Sequence, residues 1–596
     1  MNHQIDFFRF QLAELIHVHL TTMHGDIAFD LTIRDIAQLL EKPPESHLGD
    51  YSFPCFRFAK SLKLPPPKIA QILAESLNGN PQPLLKHTNH VNAFCNVFLN
   101  QLHLAKNCFP KISNKSFFTD PARLSTHRQN VMIEYSQPNT HKEFHVGHMR
   151  NVCLGSALVK LYRYFGHQVT AVNYFGDEGA HIAKCLWMLQ KTGSKPLESD
   201  DKGAWLGTMY AKACIELDRL KDQDLKQAES EISNILAAIE SKQGPTFELW
   251  KVTKEWSLKA FKDVYAWVGA EFDRDFYESE VSEQSQEIVN DLLKKGVFKE
   301  DQGAVGIDLS DHKLGFMLAR KRDGNTLYAT KDLVLAKRKF EEFKIDKSIY
   351  VVADEQNYHF KQVFKTLEIM GFPQAKDCIH LSYGMVVLPE GKMSSRLGNT
   401  IPFMQLKDAM MKEIAIILAK YVDTWSQTEI DEVCKKLCIG AIKYGMLSAD
   451  PAREIVFSMK DWLSFEGNTG PYLMYGYTRA TSILRKASEQ NLSPLSIPEL
   501  QELSELEIHD AERDVLRYLY DFNQAAFESC QHNRPSHICN HLYYMCKNFS
   551  RFYAEVPILK ETDQKTLRFR LRLVASFAGT LHQGLGLLGI TPPERM

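Results

Sequence analysis

The stretch Val131–Gly179, VMIEYSQPNTHKEFHVGHMRNVCLGSALVKLYRYFGHQVTAVNYFGDEG, decides the architecture. It opens on a short apolar run, VMIEY, passes through a polar loop, and enters a segment with the spacing of a helix face. There Met149, Val152, Cys153, Leu158, Leu161, Tyr162 and Phe165 follow i, i+3, i+4. Gly166 supplies the stop, and a second apolar run from Gln168 to Tyr174 follows at once. Strand, helix and strand in this order make a right-handed crossover between parallel strands. The polar loop then lies at the carboxyl edge of a parallel sheet, where open α/β folds bind ligands.

Within that loop His145, Gly147 and His148 form His-Val-Gly-His at the helix start. Two histidines three apart can turn both rings to one ligand there, and the glycine lets the backbone approach closely. The same spacing suits capping or surface histidines, and a zinc site finds no third ligand at suitable spacing nearby. About 245 residues later Gly391–Thr400 reads GKMSSRLGNT, glycines and small hydroxyl residues around one lysine and one arginine. Backbone N–H groups and a cation in such a loop suit phosphate, although Gly/Ser-rich basic loops are commoner than phosphate sites.

Working outward, residues up to about 115 carry a helical pattern in FRFQLAELIHVHL and a proline run before a second amphipathic stretch, an α+β module. From about 125 to 405 short apolar runs alternate with helical segments, with VMIEY, QVTAVNY and SIYVVA the clearest strands. This is the alternation of a Rossmann-type, doubly wound parallel sheet. Between roughly 190 and 300 it gives way to a long, charged, mostly helical insertion, and after about 405 the chain reads helical to its end. The expected fold class is therefore α/β: an N-terminal α+β domain (1–115), a Rossmann-type core (116–445) and a C-terminal all-α bundle (446–596).

Composition agrees with a globular protein, at 44% hydrophobic and 24% charged residues over 596 positions. A net charge of −2 excludes a uniformly basic nucleic-acid coat, so a polyanion must be met locally. Twelve scattered cysteines without a Cys-x-x-Cys pair, no apolar leader, and apolar runs no longer than EIAIILAKYV lead us to expect a soluble cytoplasmic protein with reduced thiols and no membrane span.

A His-x-Gly-His loop after the first strand of a parallel sheet, followed by Lys-Met-Ser in a loop after another strand, resembles the paired HIGH and KMSKS signatures of class I aminoacyl-tRNA synthetases. Within that class the chain is most similar to the arginyl-tRNA synthetases. The resemblance rests on GDYSFPCFRFAK, EYSQPNTHKEFHVGHMR, TLYATKDL, LSFEGNTGPYLMY and the terminal GLGLLGITPPERM, five well-separated matches in the right order.

The resemblance implies ATP-dependent attachment of L-arginine to its tRNA, tRNA(Arg), through an arginyl-adenylate. It implies ATP accompanied by Mg2+, no structural zinc, and a monomer. Charge builds on the phosphate oxygens during this reaction, and preorganised donors stabilise it. His145 and His148 would donate to the phosphates, Gly147 would add the helix start, and Lys392 with Ser394 would close over the pyrophosphate. The main chain of Gly384 and Met385 would hold adenine. The family's amino-acid pocket maps onto Glu134, Asn139, Tyr328, Asp332 and Gln356. A guanidinium asks for carboxylates, and whether Glu134 or Asp332 takes it is left open by spacing. The N-terminal domain would touch the outer corner of the tRNA, and Tyr472, Tyr475, Tyr477 and Arg479 would offer stacking faces and a cation to anticodon bases.

Two departures stand out. Where the family often reads Gly-Asp-Trp-Gly, this chain has GDEGAH, with Glu178 for the aromatic and His181 further on. Where its loop reads Lys-Met-Ser-Lys-Ser, Ser395 replaces the second lysine and Arg396 follows. Family members lacking that lysine tend to carry one where Lys142 stands, so Lys142 is the expected replacement. Arg396 is either a helper or a surface charge. KTLRFRLRL, with Lys565, Arg568, Arg570 and Arg572, is either a solvated helix face or RNA surface, and His532, His537, Cys539 and His541 match no common zinc spacing. Two rivals are another class I synthetase, such as the cysteine enzyme, and a non-catalytic tRNA-binding paralogue. The first lacks a thiol-selecting zinc set here, and the second would have lost part of the charge-stabilising set.

Overall fold

A computed structural model describes residues 7–22, 31–43, 45–119, 128–198, 201–322, 324, 326–387 and 401–596. The core sheet has five strands, labelled β1 (Asn130–Glu134), β2 (Gln168–Phe175), β3 (Arg274–Tyr277), β4 (Lys347–Ala353) and β5 (Cys378–Tyr383). Their order is β5-β4-β1-β2-β3, and every neighbouring pair is parallel. Chain direction across the sheet reverses between β1 and β4, which makes their carboxyl ends the switch point where such folds hold ligands. Glu134 sits at that edge, paired in register with Tyr350 of β4 and Val172 of β2.

Helix α1 (Val146–Tyr164) connects β1 to β2 and is buried along most of its length, including Met149, Val152, Cys153, Leu158 and Leu161. Gly155 permits its close approach to the sheet: a Cβ there would lie 2.1 Å from the Tyr135 ring. Four helices follow β2: α2 (Ala180–Thr192), α3 (Lys202–Arg219), α4 (Asp222–Glu240) and α5 (Gly244–Val268). They build a small core of their own around Leu186, Leu206, Met209 and Ile232, while Phe261, Val264 and Tyr265 of α5 return to the main core. Strand β3 falls inside the stretch that sequence assigned to the helical insertion. Its four residues, RDFY, form a sheet edge and carry two charges, so no apolar run marks them. Helices α6 (Tyr328–Phe343) and α7 (Asn357–Ile369) flank β4.

The N-terminal module is a three-stranded antiparallel sheet, Tyr51–Pro54, Phe94–Leu99 and Leu85–Val91 in that order. Helix Pro66–Gly79 buries Ile69, Leu73 and Leu77, and its prolines sit at the first turn, where no helical N–H is lost. After Phe403 the chain is almost wholly helical, and Gly470–Glu489, Asp510–Gln531, Ser536–Glu555 and Gln564–Leu587 form the terminal bundle. The N-terminal module docks on it through an ion pair of Lys42 with Asp521 and an Arg517 bond to the Asp50 carbonyl at 2.9 Å. No helix among the described residues is long and apolar enough to cross a membrane.

Candidate active site

The loop from β1 to α1 is held in an uncommon conformation. Ser136, Gln137 and His141 have φ of 80°, 45° and 63°, each costing about 1–3 kcal/mol for a residue with a side chain. Side chains from three other elements fix it. Asn151 of α1 accepts from the Ser136 N–H at 2.7 Å, Asn173 of β2 from Gln137 N–H at 3.0 Å, and Ser257 of α5 from His141 N–H at 2.9 Å.

At the loop's end the two motif histidines cap α1 and stack, ring centroids 3.8 Å apart. Gly147 N–H donates to His145 Nδ1 and His145 N–H to His148 Nδ1, both at 3.2 Å. With each Nδ1 accepting, each neutral ring carries its proton on Nε2 and has that N–H left to donate. The capping and ligand-binding readings of His-x-Gly-His are thus compatible. Burial, then the Lys142 charge, lowers the His145 pKa to about 4. Burial, His145 and Lys142 hold His148 well below the usual histidine range.

The Lys142 amine lies 5.2 Å from the Tyr210 ring of α3, and its charge also acts on His181, whose pKa falls to about 3 chiefly through burial. Lysine and all three histidines therefore share one site. Lys392, Ser394, Ser395 and Arg396 lie outside the described residues. On their near side the chain is described to Val387; it resumes at Ile401, whose carbonyl accepts from the N–H of Val146 beside His145 at 3.2 Å. Gly384 and Met385 are braced by main chain: Gly384 N–H donates to Pro451 and the Met385 carbonyl accepts from Ile455, both at 2.9 Å. A Cβ at Gly384 would lie 2.7 Å from the Arg453 carbonyl, so chain packing alone requires this glycine.

A group of carboxylates gathers around the Tyr174 hydroxyl. Glu134 is buried; it pairs with Lys339 and accepts from Gln137 Nε2 at 3.1 Å. Asp332, one turn into α6 from Tyr328, accepts from His359 Nε2–H at 2.6 Å. Tyr328 is 57% exposed with its ring 4.6 Å from that of His359. Asn139 bridges to Gly176, and Gln356 is exposed at the turn after β4. Glu178 takes Lys331 at 2.8 Å and Ser282 Oγ at 2.5 Å, so the acid replacing the family aromatic neutralises the lysine next to Asp332. Lys331 also reaches Glu278 at 3.4 Å, and burial raises the Glu278 pKa to about 7. Asp177 pairs with Lys254 at 2.5 Å. The Tyr174 hydroxyl is buried without a hydrogen-bond partner among the described residues; burial, then the charges of Glu278, Asp332, Glu134 and Asp177, push its pKa far up.

Several of these residues escaped the motif reading. Lys339 lies seven after Asp332, on the same helix face, and His359 three after Gln356; those spacings were the available signals. Glu278, Tyr174 and Tyr210 had none.

On the terminal bundle the guanidinium of Arg479 lies 4.6 Å from the Tyr475 ring and 4.9 Å from Tyr553. These three line a cavity of about 520 Å³ with Arg485, Lys486 and Lys560. Tyr472 and Tyr477 instead pack in the bundle, against Tyr543 and His582. Arg568, Arg570 and Arg572 are engaged by Glu499, Glu512 and the Leu495 carbonyl, as internal ties. His541 donates to the Tyr518 carbonyl at 2.9 Å, and no group of three or more metal-ligating side chains is present among the described residues.

A parallel sheet of this order, with stacked histidines opening its first crossover helix, is the catalytic fold of class I tRNA synthetases. Residues 114–459 match the family model for class I (R) tRNA synthetase catalytic domains, 11–99 that for the arginyl-tRNA synthetase N-terminal domain, and 473–596 the DALR anticodon-binding domain. The arginine–tRNA ligase of Bdellovibrio bacteriovorus is 41% identical over 95% of this chain and 96% of its own. That of Clostridioides difficile is 34% identical over 95% and 97%. The arginyl-tRNA synthetase structure from Thermus thermophilus superposes with a TM-score of 0.78 at 25% identity, covering 99% of this chain and all of its own. The chain belongs to the arginyl-tRNA synthetase family.

The depressed histidines make stability depend on pH. Unfolded, His145 binds its proton near 6.5, but folded only near 4, so between these values the unfolded state holds more protons and acidification destabilises the fold. From about pH 7 to about pH 5 the thermal midpoint of wild type should therefore fall further than that of His145→Gln. Parallel pH curves would contradict a buried neutral His145.

Proposed function

We infer that this chain ligates L-arginine to tRNA(Arg) in two steps. The arginine carboxylate attacks the α-phosphorus of ATP, expelling pyrophosphate. A ribose hydroxyl at the tRNA 3′ end then attacks the adenylate carbonyl, expelling AMP. The observation that carries this reading is a group of carboxylates at the same sheet edge from which the chain runs to two histidine Nε2–H donors at a helix start, in a chain with this family membership. Charge is stabilised by donors already in place, His145, His148 and Lys142, with Lys392 and Ser394 supplied by the 391–400 segment. Magnesium comes as part of the ATP substrate, on phosphate and water ligands.

Glu134 and Asp332 supply the negative charge that selects a cationic amino acid, with Asn139, Tyr328 and Gln356 completing the pocket. Tyr475, which is more exposed than Tyr472 and carries Arg479 over its ring, offers the better face for bases of the RNA. The division at 115 and 445 assigns RNA contacts to the outer domains and chemistry to the middle one. The reading includes a cytoplasmic monomer.

Charging total tRNA with each of the twenty labelled amino acids should give product with arginine alone; charging with cysteine, or with none, would favour one of the rivals. Asp332→Asn should raise the KM for arginine much more than that for ATP, by roughly 2–5 kcal/mol for loss of a buried charge pair. Glu134→Gln should do the same and also strand the buried Lys339 amine, lowering thermal stability. A change below about threefold in the arginine KM of both variants would refute the pocket.

Lys142→Ala should lower turnover roughly 100- to 1,000-fold, the usual loss for one preorganised donor, with tRNA affinity little changed. Adding Ser395→Lys should restore part of it. If Lys142→Ala keeps more than about half of wild-type turnover, Lys142 is not the missing cation and Arg396 is next to test.

A further inference from the structure

Each carboxylate around the buried Tyr174 hydroxyl has an internal partner, and the partners differ in kind. Glu134 faces Lys339, Glu278 faces Lys331, and Asp177 faces Lys254, all of them amines. Asp332 alone is met by an imidazole, that of His359, with the side chain of His359 10% exposed and that of Asp332 19%. The difference has a chemical consequence. A lysine offers three donors on a rotatable ammonium, whereas an imidazole offers one N–H at an angle fixed by its ring and leaves the second carboxylate oxygen uncovered. The bond uses Oδ2 of Asp332, and Oδ1 accepts no hydrogen bond among the described residues. The His359 ring also lies 4.6 Å from that of Tyr328, one helical turn before Asp332. Since His359 is in the first turn of α7, whose N-cap is Gln356, the same bond ties the turn carrying Gln356 to the helix carrying Asp332.

We propose that His359 is a positioning residue for substrate recognition: its Nε2–H holds one oxygen of Asp332 and its ring backs Tyr328, so that the other oxygen is presented to the guanidinium of arginine. The proposal rests on the assignment of Asp332 to the substrate made above. A guanidinium is a planar fork, so misorienting its acceptor costs more than it would for a rotatable ammonium.

The test is steady-state aminoacylation by His359→Ala, His359→Phe and His359→Gln in the full chain, with Asp332→Asn alongside. Alanine and phenylalanine should each raise the KM for arginine about 10- to 100-fold, as for loss of a hydrogen bond to a charged group. Turnover at saturating arginine and the KM for ATP should stay within about twofold, a split that general unfolding does not produce. Glutamine, which keeps an N–H donor, should restore most of the affinity. If His359→Ala leaves the arginine KM unchanged while Asp332→Asn raises it, the proposal is overturned and the pocket stands. If phenylalanine matches wild type and glutamine does not, ring packing is the cause and the hydrogen bond is irrelevant. If Asp332→Asn has no effect, the pocket assignment falls and the proposal with it.

Discussion

A buried guanidinium holds the catalytic half of this molecule together. Arg150 lies two residues after His148, is fully buried, and bonds to no carboxylate among the described residues. Instead its two terminal nitrogens donate to backbone carbonyls of Gly384, Met385, Asp450, Pro451 and Arg453. Burial draws its pKa down to about 10, still high enough to remain charged at neutral pH. The carbonyl dipoles must therefore offset the desolvation of a full charge, and they do so only if all three chain segments meet at this point. One side chain thus fixes the histidine helix, the strand end from which the 391–400 segment departs, and the stretch entering the terminal bundle. Val386 and Val387 pairing with Ile455 and Val456 completes the junction.

The histidine pair depends on that junction and on the loop before it. Three residues with left-handed backbone would not hold their shape in isolation, yet Asn151, Asn173 and Ser257 bind their N–H groups from elements that are themselves packed. What this cost provides is direction. The loop reaches His145 extended, the helix starts there, and both Nδ1 atoms take N–H groups of the first turn. The tautomer follows from the cap, and the low pKa values follow from burial beside Lys142. Donors that are neutral, oriented and already desolvated need no reorganisation when charge develops on phosphate.

How much of this is legible in the sequence depends on whether the cause is local. Strands β1, β2 and β4 announce themselves as apolar runs because parallel strands are covered on both faces. RDFY in β3 and CIHLSY in β5 do not, since each is an edge with one neighbour. His145, Gly147 and His148 are legible because a helix start is a contiguous object. The amines of Lys331, Lys339 and Lys254 are not, because each partner is 53 or more residues distant and only the tertiary fold joins them. Glu178 illustrates the limit: the GDEG departure is visible, but its meaning lies in Lys331, 153 residues away. The arginines of KTLRFRLRL show the converse, a charge run that reads as surface and proves to be engaged within the fold.

The charge balance of the pocket explains why geometry must finish what electrostatics begins. Five carboxylates, Glu134, Asp177, Glu178, Glu278 and Asp332, stand against three lysines, Lys254, Lys331 and Lys339, a surplus of two when all are ionised. Burial, which raises the Glu278 pKa to about 7, trims that surplus rather than adding to it. The surplus suits an amino acid bringing an ammonium and a side-chain cation, but lysine brings the same two charges as arginine. Net charge therefore selects the class and cannot select the member. The distinction has to come from shape: a planar fork five donors wide against an acceptor held at a fixed angle. In this pocket the acceptor whose angle is constrained by a ring anchor is Asp332, which is why the difference between an imidazole and an amine beside it bears on which amino acid is charged.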